Sequence, residues 1–376
     1  MSETPRFLGL LALVLAWSAA SGDWPLFRGD AGLTGVAADT LPEELQPLWV
    51  FEAEDGFASA VAVSDGKVFA GSLDGRLYVL DLDSGELQWK YEAGAAIKSA
   101  PAVSGGLVFF GDEDGTFHAV DIETHRRKWS FEAEAEIVSS ANIAGAAVIF
   151  GSHDESVYCL EAADGSLRWR VRTQGFVYGT PAVSEGRVVS AGCDGVLRVI
   201  SVASGEVIRE VELGGYVGAS PAVHSGTAFV GTFENQVLAV DIEHGKVLWA
   251  YENPDRQFPF LSSAATDGKL VVIGGRDKQL HAIDATTGEA VWQRSVGAKV
   301  DSSPVISGKR VFVGVESGEI LAFGLESGDP SWSFDTGSAV IASPSITAGK
   351  LLIGTAEGQL FCFGAGPAET EEKREE

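Results

Sequence analysis

Tryptophan returns at a fixed interval along this chain. Trp49, Trp89, Trp129 and Trp169 are 40 residues apart, and Arg209 stands at the next register position. Trp249 restores the series, Trp292 follows after 43 residues and Trp332 after 40. A spacing held over eight positions with one substitution marks a repeat array, in which each unit buries its apolar surface against its neighbours. The length of 376 residues on its own favours two or three domains. The repeat overrides that prior, because a ring of units is one structure whatever its length.

Each unit has the same internal order. Residues 58–92 read ASAVAV, turn SDG, KVFAGS, turn LDG, RLYVLD, turn LDSG, ELQWKYE. The apolar runs are short, rich in Val, Phe, Tyr and Leu, and bounded by Asp and Gly, which supply the positive φ values of tight hairpins. After the first residues of the chain, no sustained helical period is present. Four strands per 40-residue unit is the grammar of a propeller blade. In the turn between the third and fourth strands, Asp81, Asp121, Asp241 and Asp284 share a column, with Ser84-Gly85, Ser204-Gly205, Thr287-Gly288 and Ser327-Gly328 close behind it. Asp there accepts backbone hydrogen bonds, and Gly takes the left-handed position. Pro101, Pro181, Pro221, Pro304 and Pro344 fall in the first strand, an edge strand nearest the channel, where proline is tolerated. The tryptophans are expected to pack between neighbouring blades.

The blade count follows from the two ends. Seven units run complete to a fourth strand, ending near Tyr91, Phe131, Val171, Val211, Tyr251, Arg294 and Phe334. The eighth begins at Ile341 and stops at Phe363 without a fourth strand, whereas Leu48-Trp49-Val50-Phe51-Glu52-Ala53 has the form of a fourth strand with no blade before it. The expectation is an all-β, eight-bladed propeller of four-stranded antiparallel blades over residues 46–364, closed by its N-terminal strand so that no sheet edge is left open. Residues 23–45 form a lead-in packed on the rim, and residues 365–376 a disordered acidic tail.

Residues 1–22 read as a cleaved secretory signal. Arg6 precedes the apolar run Phe7–Trp17, which is too short to span a bilayer, and small residues follow it. No cysteine lies near the cleavage zone, so the expected product is a periplasmic or extracellular protein, not a lipoprotein, with no transmembrane segment. The net charge of −26 disfavours nucleic acid and anionic lipid as partners. Cys159, Cys193 and Cys362 are an odd number in an exported chain and argue against a disulfide framework. Cys159 and Cys362 share the column of Ala119, Ala239, Ala282 and Ala322, so they are expected to be small buried residues; Cys193 lies in a turn.

The segments LDLDSGELQW (80–89), IDATTGEAVW (283–292) and VDIEHGKVLW (240–249) resemble the tryptophan-docking motif of pyrroloquinoline-quinone-type propellers. The Trp24-Pro25-Leu26-Phe27-Arg28-Gly29 lead-in is similar to the start of many exported bacterial proteins of this type. The resemblance spans residues 46–364 and implies one of two roles. Some members are dehydrogenases of alcohols and sugars that use a calcium-bound quinone, a carboxylate base and often adjacent cysteines. Others are non-catalytic propellers, among them the periplasmic propeller subunit of outer-membrane assembly, which carries a fatty-acylated cysteine. This chain has neither adjacent cysteines, nor insertions long enough to build a lid, nor that acylated cysteine.

Candidate sites are few. Asp112-Glu113-Asp114-Gly115 resembles part of a calcium loop, but its glycine stands fourth and not sixth, which favours a hairpin turn. The histidines share no ligand spacing and read as surface or strand residues. Nine residues after each register position comes a column that varies freely: Ala58, Lys98, Val138, Tyr178, Gly218, Asp301 and Ile341. Of these, Lys98, Tyr178 and Asp301 are candidates for a polar binding rim at the channel. The three-residue insertion between Trp249 and Trp292 expands the loop Glu252–Phe260, where Arg256, Phe258 and Phe260 have the composition of a partner anchor. No catalytic, cofactor or metal residues are assigned. The leading expectation is a monomeric, non-catalytic propeller that binds a protein or small ligand on its channel face. A minimal quinone- and calcium-dependent oxidoreductase and a carbohydrate or small-ligand sensor are the alternatives, the last marked by aromatic residues clustered on one loop face.

Overall fold

A computed structural model describes residues 23–253 and 255–366; the expected signal segment and most of the expected tail lie outside them. The described residues form eight sheets and no helix, so no helix among them is long and apolar enough to cross a membrane. Blade 1 is typical: strands Ala62–Ser64, Lys67–Gly71, Arg76–Asp81 and Leu87–Glu92 pair antiparallel in sequence order. In blade 8 the strands Ser345–Thr347, Lys350–Gly354 and Gln359–Gly364 are completed by Gln46–Glu52, which pairs antiparallel with the last of them and sets Trp49 opposite Cys362. The ring therefore closes as the strand count requires. Phe57 N donates to Thr355 O (2.9 Å) and Ser345 Oγ to Val61 O (2.7 Å), tying blade 8 to blade 1.

The tryptophan interval has a steric cause. Five indole N–H groups donate to a carbonyl of the next blade: Trp49 to Leu82, Trp129 to Ala162, Trp169 to Val202, Trp249 to Ala285 and Trp292 to Leu325, at 2.8–3.0 Å. Trp332 reaches Leu45 at 3.1 Å, across the closure. The ring then lies over the glycine of that blade's third turn, where a Cβ on Gly85, Gly165, Gly205, Gly288 or Gly328 would stand 2.5–2.7 Å from the indole. Two blades vary the theme. His125 replaces that glycine at φ 59° and stacks on Trp89 at 4.6 Å, and Arg209 replaces the tryptophan beside Gly245.

The same turns hold the aspartate column. Asp81 Oδ1 accepts N–H bonds from Asp83 and Ser84, and Asp121, Asp241 and Asp284 repeat the arrangement. These backbone donors favour the ionised form and hold all four carboxyls below the usual carboxylate range. A depressed folded-state pKa contributes stability that is present above the unfolded value, about 4, and is lost as pH falls through the folded value. The difference in melting temperature between the wild type and an Asp81→Asn, Asp284→Asn variant is therefore expected to be widest near pH 7 and to close below about pH 4. A difference that does not change over that range contradicts the account.

Two layers of hydrogen bonds join the blades at the channel. In the first, a backbone N–H of each of blades 2 to 7 donates to a hydroxyl of the next: Ala100 to Ser140, Ser140 to Thr180, Thr180 to Ser220, Ser220 to Ser263, Ser263 to Ser303 and Ser303 to Ser343, at 2.8–3.1 Å. The second is the lead-in. Its packing is not confined to the rim but runs around the channel mouth, bonding the innermost strands. Trp24 pairs with Val63 both ways, and Pro25, Ala31, Gly32, Thr34 and Gly35 accept from Val103, Val183, Val223, Thr266 and Ile306. Asn142 Nδ2 donates to Ala31 O and Ala348 N to Asp39 Oδ2, so every blade is engaged. Val36–Ala37 adds a parallel strand to blade 7. Arg28 is fully buried in this segment, donates to Ala264 O (2.9 Å), and is pushed down to a pKa of about 9 by desolvation.

Candidate functional site

The lead-in covers the channel at the end of the first-to-second strand turns. The opposite mouth is framed by the loops that enter each innermost strand and by the turns between second and third strands. The rim column lies here, and two of its three named members meet. Lys98 and Tyr178 line one pocket of about 480 Å3 with Glu136, Val138, His153 and Phe176, at the junction of blades 2, 3 and 4. Asp301 is not part of it. It belongs to blade 7, opposite blade 3 in a ring of eight, and is held by a two-pronged pair with Arg276 (2.9 and 2.7 Å).

The pocket walls are rings. His153 stacks on Phe176 (centroids 5.2 Å, 24°) and tilts against Tyr178 at 4.1 Å. Its side chain is 10% exposed and its Nε2 has no hydrogen-bond partner, while Nδ1 lies 3.6 Å from Glu136. Burial lowers the His153 pKa and Lys98 adds to this, against the opposing pull of Glu136, so the imidazole is neutral at pH 7. The Lys98 ammonium is paired with Glu113, and that bond raises its pKa. A charged pair, one further carboxylate and three rings therefore surround the opening.

The rings continue along one sector. Phe176, Tyr178, Tyr216, Phe233 and Phe258 are all exposed by 39–61%. They sit on entry loops or second-to-third turns of blades 4 to 6. A second pocket of about 300 Å3 lies one blade further on, lined by Asp194, Glu212, Tyr216 and Glu234. Exposed aromatics on one face of a rigid scaffold are the anchors that binding surfaces use.

The inserted loop divides its three named residues. Phe258 is 49% exposed and joins the aromatic sector, and Arg256 is exposed, with Nη1 on Asp277 O (2.8 Å). Phe260 corrects the expectation of a partner anchor, because it is fully buried against Tyr251 and His281. Its N–H donates to Thr232 O, as Ile97 does to Ser72 and Val177 to Ser152, so it fills an apolar core column once the insertion is counted. Phe260→Ala is expected to cost about 3–5 kcal/mol of stability, and Phe258→Ala less than about 0.5 kcal/mol. Chemical denaturation separates the two, and equal losses would contradict this placement.

Two histidines do more than sit in strands. His281 bridges Asp277 (3.0 Å) and Tyr251 (3.0 Å), and His118 bridges Asp112 (2.8 Å) and Tyr91 (3.3 Å), all within the fold. Asp112 thus serves its hairpin. Tyr78, Tyr158, Arg198 and His281 each brace the turn aspartate four residues before them, Asp74, Asp154, Asp194 and Asp277, and that spacing was the available signal; His118 departs from it, bonding Asp112 six residues back. Cys159 and Cys362 are fully buried, with pKa values pushed up by burial to about 11 and about 12. Burial and Asp194 also raise the Cys193 pKa, which does not activate its thiol. A calcium-bound quinone needs clustered oxygen ligands and a nearby carboxylate base. The channel collar instead offers hydroxyls that already accept backbone N–H bonds. No group of three or more His, Cys, Asp or Glu among the described residues is placed to hold a metal.

Fold, closure and tryptophan docking define a pyrroloquinoline-quinone-like eight-bladed propeller. The chain belongs to the family described as outer membrane protein assembly factor BamB, which matches residues 42–155, 139–259 and 252–365. No curated protein sequence matches it. Among solved structures it is similar to BamB from Moraxella catarrhalis, with a TM-score of 0.73 and 19% identity over 86% of this chain and 100% of that one. The computationally designed Ika8 protein gives 0.76 at 20% identity, over 85% and 100%. A quinohemoprotein alcohol dehydrogenase from Comamonas testosteroni gives 0.76 at 13%, over 92% and 81%. At these identities the likeness is one of fold.

Proposed function

We propose that this protein is a non-catalytic, exported binding propeller that docks a partner protein on the open channel face, across blades 3 to 6. The observation that carries the reading is the run of exposed rings at Phe176, Tyr178, Tyr216, Phe233 and Phe258 on one sector of that face. Membership of a family described by outer-membrane assembly and the signal-like character of residues 1–22 support a location outside the cytoplasm. A small-ligand sensor is the second reading, favoured by the ring-walled pocket at His153.

The test is site-specific photo-crosslinking in the native host. A benzophenone side chain at position 216 or 258 is expected to trap a defined protein, and one at Asp329, in a third turn on the opposite face, to trap none. Equal trapping from both faces defeats the assignment. Titration with pyrroloquinoline quinone and calcium is expected to give no one-to-one complex. Turnover of an alcohol or sugar with a dye acceptor would overturn the non-catalytic reading.

A further inference from the structure

We infer that the two pockets on this face take basic side chains, so that the partner presents an extended segment rich in arginine or lysine. The inference rests on the docking face proposed above and adds the chemistry of what docks.

The first pocket has the parts of a cation cage. His153, Phe176 and Tyr178 present rings with centroids 4.1–6.2 Å apart. Ring faces attract a guanidinium or ammonium within about 6 Å, and more strongly where water is displaced. The neutral His153 adds no opposing charge; its side chain, nine-tenths buried, lines the opening, and its Nε2 is buried without a hydrogen-bond partner. Lys98 is matched by Glu113, which leaves Glu136, with its side chain 46% exposed, as the uncompensated charge at the pocket.

The second pocket repeats the chemistry at the next junction. Tyr216 lies beside Glu212 and Glu234, neither of which has an ion-pair partner among the described residues, while Asp194 is already paired with Arg198. Rings with unmatched carboxylates at consecutive blade junctions suit a strand-like segment that places successive basic side chains along the arc. The net charge of −26 draws the same kind of partner from a distance. A neutral sugar would stack on the rings but leave the carboxylates uncompensated.

Overall acidity alone attracts any basic peptide, so the experiment must separate the pockets from the field. The probe is a fluorescein-labelled octapeptide of alternating glycine and arginine, read by anisotropy against the full protein at physiological salt. Its counterpart carries citrulline in place of arginine. Saturable one-to-one binding is expected, with the citrulline peptide weaker by about tenfold or more. Phe176→Ala with Tyr178→Ala leaves the net charge unchanged and is expected to weaken binding by about tenfold, with the melting temperature showing an intact fold. Glu326→Gln with Asp329→Asn, on the opposite face, is expected to leave affinity within about twofold.

If the double ring variant binds the arginine peptide as well as the wild type does, the attraction is generic and the inference fails. It fails equally if the citrulline peptide or a neutral oligosaccharide binds as tightly. Crosslinking from position 216 tells this failure from that of the docking reading. Trapping with no pocket-dependent basic binding keeps the face and discards the chemistry, and loss of both discards both.

Discussion

A chain beginning at Glu54 is expected to unfold or aggregate under conditions in which one beginning at Leu45 remains a folded monomer. The shorter chain lacks Gln46–Glu52, so the strand Gln359–Gly364 is left as an open edge able to template intermolecular pairing. It also loses Trp49, whose indole docks on Gly85 and Leu82 of blade 1. Removing such a side chain alone costs about 3–5 kcal/mol, against a total stability of about 5–15 kcal/mol for an ordinary domain. The chain from Leu45 keeps the closing strand and the Leu45 carbonyl on which Trp332 docks. It lacks the lead-in, with its buried Trp24, Leu26, Phe27 and Leu33 and its bonds to the innermost strands, so its melting temperature is expected to fall between those of the chain from Glu54 and the full-length protein. Calorimetry with sedimentation measures the order. Equal melting temperatures for the chains from Leu45 and Glu54 would show that closure is not what holds the ring.

Trp292→Ala is the second large effect, expected to cost about 3–5 kcal/mol. The indole is 6% exposed, donates to Leu325 O (2.9 Å), and fills the space where a Cβ on Gly328 would stand at 2.6 Å. Gly328→Ala meets both that contact and a φ of 69°, for about 1–3 kcal/mol. The two are not independent. Once the indole is gone, only the backbone part of the glycine penalty remains, so the double variant is expected to be less damaged than the sum of the singles by about 1 kcal/mol. Gly245→Ala is the internal control. Arg209 replaces the tryptophan there, the nearest atom lies 3.5 Å from the added Cβ, and the φ of 66° remains. Denaturant titration of the four proteins reads the coupling, and strict additivity at Trp292 and Gly328 would contradict direct docking.

The periodic features were legible because each is enforced by one local cause that recurs. Trp49 could be read as the missing partner of Cys362's strand because the register leaves one fourth strand over and one place empty. Lys98 and Tyr178 could be read as a rim pair because the rim column keeps one position relative to each tryptophan. What the column cannot show is which members face each other. His153 comes from a different turn, and Asp301 is taken by Arg276, whose own column gave no warning. Phe258 and Phe260 looked alike within an insertion. Counting back from Trp292 places Phe260 in the same column as Val300 and Val340, both fully buried, and that signal was available. The hydroxyl links were present as Ser140, Thr180, Ser220, Ser263, Ser303 and Ser343, but a small polar residue at a strand entry reads as a loop until its donor in the blade before is known.

Those links have a direction, since each of blades 3 to 7 gives an N–H to one neighbour and offers a hydroxyl to the other. A circle of this kind has no natural end, yet this one has an interruption. Alanine stands at positions 60 and 100, so blades 1 and 2 offer no hydroxyl to the neighbour before them. Trp24 and Pro25 bond Val63 and Val103 at that gap. The innermost circle is thus a bracelet whose clasp lies at its first two blades. Transient opening under heat or load would begin there, and the residues that fasten it are the first of the lead-in to meet the ring.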